Sequence, residues 1–182
     1  MITRRLTLLS ASHLLVACLG FALGVYLLPI LTAPPDPPAA AVTEMIDAAK
    51  YRSNFRRNLP GSDALHWAEG TVAVSPGRIA FDGKMAPGPD YKVYLTREYV
   101  DTIDGFLRIK DQSRRVGEAK SFKRLSLELP ADVDVEDYTT VVVWCETFSK
   151  FISAAQYRQM AESGHGMQGP RGPLEESGGA GR

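Results

Sequence analysis

A long uncharged apolar segment near the N-terminus constrains this chain more than any other feature. Positions 6–32 hold 27 consecutive residues without Asp, Glu, Lys or Arg. A membrane-spanning helix needs about 20 apolar residues, so the segment is long enough to cross a bilayer. Arg4 and Arg5 precede it, and the positive-inside rule then leaves residues 1–5 in the cytoplasm. We therefore expect a single-pass signal anchor at 6–32, with the C-terminal domain on the extracytoplasmic side.

Two other interpretations of this segment also export the domain. A cleaved signal peptide has an apolar region of about 7–15 residues, which is shorter than the run seen here. The letters LVAC at 15–18 resemble a bacterial lipoprotein cleavage box, which would place a lipid on Cys18. The sequence after Cys18 stays apolar as far as Thr32, whereas a mature lipoprotein normally continues with polar residues. The short anchor-and-stalk plan favours a bacterial cell membrane, with the domain in the periplasm.

The segments at the two ends of the exported part have strongly biased compositions. Residues 33–42 contain four prolines, which favour polyproline II and predict a stiff stalk leaving the membrane. Residues 162–182 are rich in Gly, Pro, Ser and charge, so they cannot bury enough apolar surface to order themselves. We expect a disordered tail there.

Residues 43–61 carry the start and stop signals of a helix followed by a linker. Thr43 can cap a helix N-terminus, Arg56 and Arg57 suit the last turn, and Pro60 ends the pattern. The sequence therefore predicts a short helix on the edge of the domain or on the membrane surface.

Residues 62–161 have the pattern of an all-β domain. Short apolar or alternating segments recur between turn signals about every 8–12 residues, which is typical of an antiparallel sandwich. No helical crossover interrupts them, so a parallel α/β fold is disfavoured. The segments interpreted as strands are HWAEGTVAV, GRIAF, YKVYLT, FLRI, SFKRLSLELP and YTTVVVWC.

Charge and composition exclude several classes of function. Lys plus Arg and Asp plus Glu each total 21, so there is no basic excess to bind nucleic acid. Three scattered histidines and two cysteines give no zinc-site spacing, and we expect no metal site. A conventional hydrolase is disfavoured because no Ser-His-Asp or paired-carboxylate arrangement is recognisable.

Two motifs, in this order, carry a family resemblance. APGPDYKVYLT places Gly88-Pro89-Asp90 directly before a strand, and the later LPADVDVEDYTTVVVWCETF ends in Trp144-Cys145 followed by Phe148. From about 66 to 157 the chain resembles the DM13 domain family. That family shows a Gly-Pro-Asp turn before a strand and later a Trp-Cys pair followed by Phe.

The resemblance implies a small extracytoplasmic β-sandwich related to the DOMON cytochrome domain, with a role in electron transfer. It makes Cys145 the functional cysteine, either as a bare thiol or as a ligand to a haem-like group. If haem binds, His66 or Met85 could supply a second ligand. The chain departs from the family at Ile152, where the family tends to have a glycine that would let a cofactor approach.

The residues around Cys145 leave its role open. Trp144 and Cys145 point to opposite faces of their strand, so Val141 and Val143 share the face of the cysteine. Burial among valines raises the pKa of a thiol and makes it inert, which is the structural interpretation. A lone thiol in an oxidising compartment is instead shielded or used. Two hypotheses follow: a membrane-anchored redox module with a redox partner protein, or a non-catalytic binding or scaffolding domain.

Overall fold

The structure, a computed structural model, describes residues 2–159. The tail predicted to be disordered, 162–182, lies outside the described residues. The chain begins with helix α1, Ile2–Thr32, whose apolar side chains are exposed. Within the described part, α1 is the one helix long and apolar enough to cross a membrane. The membrane-spanning length expected from the sequence is therefore present as a continuous helix.

The domain that follows is a sandwich of two four-stranded antiparallel sheets. This confirms the predicted fold class. The first sheet has the order β1-β2-β3-β6, and the second has the order β5-β4-β7-β8. The strands are β1 Tyr51–Phe55, β2 Ala68–Ser75, β3 Arg78–Met85, β4 Tyr91–Thr96, β5 Arg114–Glu118, β6 Arg124–Glu128, β7 Thr140–Cys145 and β8 Lys150–Gln156.

Two short helices cover the outer faces of the sandwich. Helix α2, Ala39–Asp47, packs on β2, β3 and β6 with Val42 fully buried. Helix α3, Ile103–Ile109, covers the second sheet, where Phe106 packs against Trp144 with ring centroids 5.0 Å apart. The main core lies between the sheets, and a smaller apolar cluster lies under α3.

Strand β7 is buried on both faces, as its continuous apolar sequence predicts. Val141, Val143 and Cys145 face the core between the sheets, whereas Val142 and Trp144 face the α3 cluster. The predicted separation of Trp144 from Cys145 is confirmed. It follows from the alternation of side chains along a strand.

The helix expected within 43–61 is shorter and begins earlier. Helix α2 starts at Ala39, directly after the last proline of the predicted stalk, and ends at Asp47. The second half of the segment is strand β1, in which Phe55 is buried against Phe81. The prediction was wrong here because pairing with β2 and burial of Phe55 outweigh weak helix propensity.

The segment FLRI is helical, so its interpretation as a strand was wrong. Thr102 caps α3, since its hydroxyl accepts a hydrogen bond from the Gly105 N–H at 3.0 Å. Asp104 lies in the first turn and Arg108 in the last, which suits the helix dipole. Phe106 is fully buried by this turn of helix.

Candidate functional site

Cys145 is the last residue of β7 and lies at one end of the core between the sheets. It pairs with Tyr91 of β4 on one side and with Lys150 of β8 on the other. Its side chain has no exposed surface. The thiol is therefore part of the core, at the position where β7 leaves the sheet.

Two opposing influences act on the pKa of the Cys145 thiol. Burial raises the pKa of the thiol, and the nearby backbone at Phe148, Asp90 and Thr147 offsets this only in part. The net direction is upward, so the protonated thiol is the resting form at neutral pH. A protonated thiol is a poor nucleophile, which restricts spontaneous exchange with disulfides.

A cavity of about 330 Å³ reaches Cys145 from the surface of the domain. Its domain-side wall combines apolar residues with three groups that carry chemistry, and α1 closes its other side. The three groups are the Cys145 thiol, the Tyr91 phenol and the His66 imidazole. The structure thus brings together two residues far apart in sequence that were considered as ligands.

Tyr91 is an unsatisfied polar group at this cavity. Its side chain is 2% exposed, and its hydroxyl is buried without a hydrogen-bond partner among the described residues. Burial, and then the nearby Cys145, raise the pKa of this phenol. Buried hydroxyls are normally hydrogen-bonded, so an unpartnered one beside a cavity points to a ligand or water as its partner.

Gly88 makes room for the Tyr91 phenol. A Cβ at Gly88 would collide with the ring and hydroxyl of Tyr91. A side chain at position 88 would therefore displace the Tyr91 phenol from its place at the cavity. Gly88 is not one of the glycines with positive φ in the described chain, so unusual backbone angles are not the reason for a glycine at this position.

His66 is held in a fixed orientation by Asp63. The Nδ1 atom of the imidazole lies 2.8 and 2.9 Å from the two Asp63 carboxylate oxygens. The Leu65 N–H also donates to Asp63, at 2.8 Å. A carboxylate bound at Nδ1 selects the tautomer that leaves Nε2 free to accept or to bind a metal.

Met85, the other residue considered as a ligand, has a different place. It is 4% exposed at the end of β3 and belongs to the core between the sheets. It is not among the described residues that line the cavity at Cys145. On the domain side of the cavity, the polar side chains beside the thiol are thus those of His66 and Tyr91.

An ion-pair cluster fixes the turn that carries one side of the site. The Lys92 ammonium lies 2.6 Å from Asp90 and 2.5 Å from Glu118. The Asp90 carbonyl also accepts the Glu146 N–H at 3.0 Å, just after Cys145. The Gly-Pro-Asp motif therefore joins β4 to the turn after β7.

Sequence reasoning missed two members of the site. Tyr91 entered the prediction only as the first residue of the strand YKVYLT, although the motif already placed it directly after Asp90. Asp63 was not singled out, although its spacing of three residues from His66 suits a turn that joins the two side chains. The closeness of Tyr91 to Cys145 depends on strand pairing across more than fifty residues, which a local pattern does not encode.

Comparison with protein families identifies the domain that follows α1. The family described as Electron transfer DM13 matches residues 58–157, which is more than half of the chain. A search of curated proteins found no match, and neither did a search of solved structures. The chain belongs to the DM13 family, as its two motifs predicted.

Proposed function

We propose that this protein is a membrane-anchored electron-transfer domain, held on the extracytoplasmic side, in which Cys145 is the redox-active residue. The observation that supports this most is the cavity that Cys145 shares with Tyr91 and His66 in a chain of this family. The anchor is α1, and the two arginines before its apolar run favour a cytoplasmic N-terminus.

The donor set is chemically suited to a redox metal group such as haem. The Cys145 sulfur and the His66 Nε2 would bind it, and such a group supplies one-electron chemistry when bound. Asp63 orients the imidazole, and the unpartnered Tyr91 hydroxyl provides a hydrogen-bond donor at the same cavity. Ile152, fully buried in the core, fills the position where the family tends to have glycine, so such a group would have to approach Cys145 from the cavity.

A second function is favoured by a different observation. Cys145 has no exposed surface, packs with Val141 and Val143, and its pKa is raised by burial. These features suit a structural thiol in a non-catalytic binding or scaffolding domain of the cell envelope. On this alternative the surface of the sandwich, and not the cavity, carries the function.

An optical spectrum separates the two functions. The full chain, purified in detergent from an oxidising compartment without reductant, is measured before and after addition of haem and dithionite. Electron transfer through a bound group predicts a Soret band that is lost in Cys145→Ala and altered in His66→Gln. The matched control is Cys18→Ala, which removes the exposed cysteine of α1 and should leave the band unchanged.

A featureless spectrum leads to a second measurement on the same variants. The reaction of Cys145 with a small thiol reagent is compared in the folded and the urea-unfolded chain. A thiol that reacts only after unfolding, together with a featureless spectrum, overturns electron transfer at Cys145 and leaves the binding domain. The redox partner protein that the first function requires would then have no role.

A further inference from the structure

Exposed apolar side chains of the domain are concentrated at one edge. Outside α1, three large hydrophobic side chains of the described chain are strongly exposed: Leu65 at 65%, Leu107 at 49% and Phe148 at 43%. Leu65 and Phe148 both line the cavity at Cys145, whereas Leu107 lies on α3. We call the surface formed by Leu65, Pro87–Pro89 and Phe148 the docking edge.

The docking edge lies along the C-terminal half of the anchor helix. Phe148 and Pro89 line a groove of about 520 Å³ whose other wall is α1 between Phe21 and Thr32. Leu65 and Pro87 face the same helix across the cavity at Cys145, where its wall includes Phe21 and Val25. The apolar edge is therefore beside a helix that is itself apolar and exposed.

The length of α1 places this contact at the outer boundary of a bilayer. Its 31 residues span about 46 Å at 1.5 Å per residue, whereas the hydrocarbon core is about 30 Å thick. Counted from Leu6, the first 20 residues of the apolar run end at Val25. The part of α1 from Phe21 to Thr32 thus runs from the outer part of the hydrocarbon core into the headgroup region. The docking edge lies beside this part of the helix and covers the same range of depths.

Charged residues of the domain lie beside the C-terminal end of α1. A third pocket lies nearer the C-terminal end of α1, between Pro29–Pro34 and the domain, and its charged lining residues are Asp90, Glu118 and Lys120. The Lys120 side chain is 68% exposed, and its ammonium lies 3.2 Å from the Glu118 carboxylate. The apolar residues thus lie opposite the deeper part of α1, and the charged ones lie opposite its end. Such grading suits a lipid interface, where apolar side chains enter the bilayer and charged groups stay in the hydrated headgroup region.

We propose that the docking edge inserts into the outer surface of the lipid bilayer, so that the domain lies on the membrane and is not held away by the proline-rich segment. This inference rests on the proposed anchor role of α1 and is independent of any redox chemistry. It gives the exposure of Leu65 and Phe148 a physical cause, because apolar surface transferred from water to lipid is stabilised. It also places the opening of the Cys145 cavity against lipid.

The test uses tryptophan as a depth probe in the full chain. Phe148→Trp and the control Leu107→Trp are reconstituted in phosphatidylcholine vesicles, with and without bromine near the top of the acyl chains. Wild type, which carries Trp67 and Trp144, gives the background to subtract. The two substitutions are matched because both replace an exposed hydrophobic side chain of the domain.

The inference predicts a loss of the added fluorescence in brominated vesicles for Phe148→Trp and none for Leu107→Trp. Leu65→Trp is a second variant of the docking edge and should be quenched like Phe148→Trp. If one of the two variants fails to fold, the other still tests the inference. Flotation of the chain together with the vesicles measures membrane anchoring independently of docking. A chain that floats but shows equal quenching at positions 148 and 107 overturns docking alone, and a chain that does not float overturns both docking and the anchor.

Discussion

Tyr91 and Cys145 lie directly opposite each other on the antiparallel strands β4 and β7. Both are buried at the same end of the core, and the phenol hydroxyl has no hydrogen-bond partner among the described residues. The turn before Tyr91 and the turn after Cys145 are joined by the Asp90 carbonyl. The two side chains therefore form a single local unit. A substitution at either position should alter the surroundings of the other side chain.

The first prediction concerns the polarity of the Cys145 position. Cys145→Ser should lower the free energy of unfolding by about 1–3 kcal/mol, because it buries a hydroxyl without a partner. Cys145→Ala removes one atom and no hydrogen bond, and should cost about 1 kcal/mol. Urea denaturation at pH 7 measures both. A Ser variant as stable as wild type would show that the sulfur has a polar, hydrated environment, which contradicts the structural-thiol alternative.

The second prediction concerns alkaline pH. Burial raises the pKa of Cys145 and of Tyr91 in the folded state, so the folded chain keeps protons that the unfolded chain loses. Stability is then complete below the unfolded pKa values and is lost as pH rises above about 9. Tyr91→Phe removes the hydroxyl without breaking a hydrogen bond, and should reduce this loss. Urea midpoints at several pH values between 7 and 11 test it, and parallel curves for the two proteins would contradict it.

The main features of the fold were predictable because they depend on local sequence periodicity. The two-sided burial of β7 follows from its unbroken apolar run, and the membrane-spanning length of α1 follows from the absence of charge over 27 residues. Strand β1 had a weaker signal, the alternation of Tyr51, Ser53 and Phe55 against polar neighbours. The helix signals at Thr43 and Arg57 led to the prediction of a helix instead. In the structure, pairing with β2 stabilises the segment as a strand.

The candidate site was predictable only in part. Cys145 and His66 were proposed from motif and residue type, and their common cavity arises from sheet pairing and from the loop before β2. The role of Gly88 could not be predicted from the sequence either, because it depends on where the Tyr91 ring lies and not on backbone dihedral angles. Contacts between distant segments carry this information, and a single sequence does not display them.

The third prediction concerns Glu146, the residue that follows Cys145. Burial opposes its ionisation, but hydrogen bonds from Lys110, at 2.5 Å, and Tyr94 prevail and lower the pKa of its carboxyl. Its contribution to stability is therefore present above the unfolded pKa of about 4.3 and is lost as pH falls through the lower folded value. Glu146→Gln should cost about 1–2 kcal/mol at pH 7, since it removes charge-assisted hydrogen bonds.

The matched control for Glu146 is Glu128→Gln. The Glu128 side chain is 82% exposed and meets Arg78 at 3.3 Å, so this change should have little effect. Urea midpoints between pH 3 and 7 compare the variants with wild type, and Glu146→Gln should show the flatter acid limb. Equal acid limbs for the two variants would mean that the Glu146 network does not persist in solution.

The fourth prediction concerns the turn between β7 and β8, which carries Phe148 at the docking edge. Ser149 has φ of 49°, the one non-glycine residue with positive φ in the described chain. A left-handed conformation costs a residue with a side chain about 1–2 kcal/mol, part of which glycine avoids. Ser149→Gly should therefore raise the free energy of unfolding by about 0.5–1 kcal/mol, as measured by urea denaturation.

The opposite change at a comparable turn provides the control. Gly77 has φ of 79°, and a Cβ there would meet nothing within 4 Å, so Gly77→Ala tests backbone strain without steric overlap. It should lower the free energy of unfolding by about 1 kcal/mol. If Ser149→Gly also destabilises the domain, Ser149 contributes more through its contacts in the turn than it costs in strain. The conformation of the turn beside Cys145 would then depend on the serine side chain.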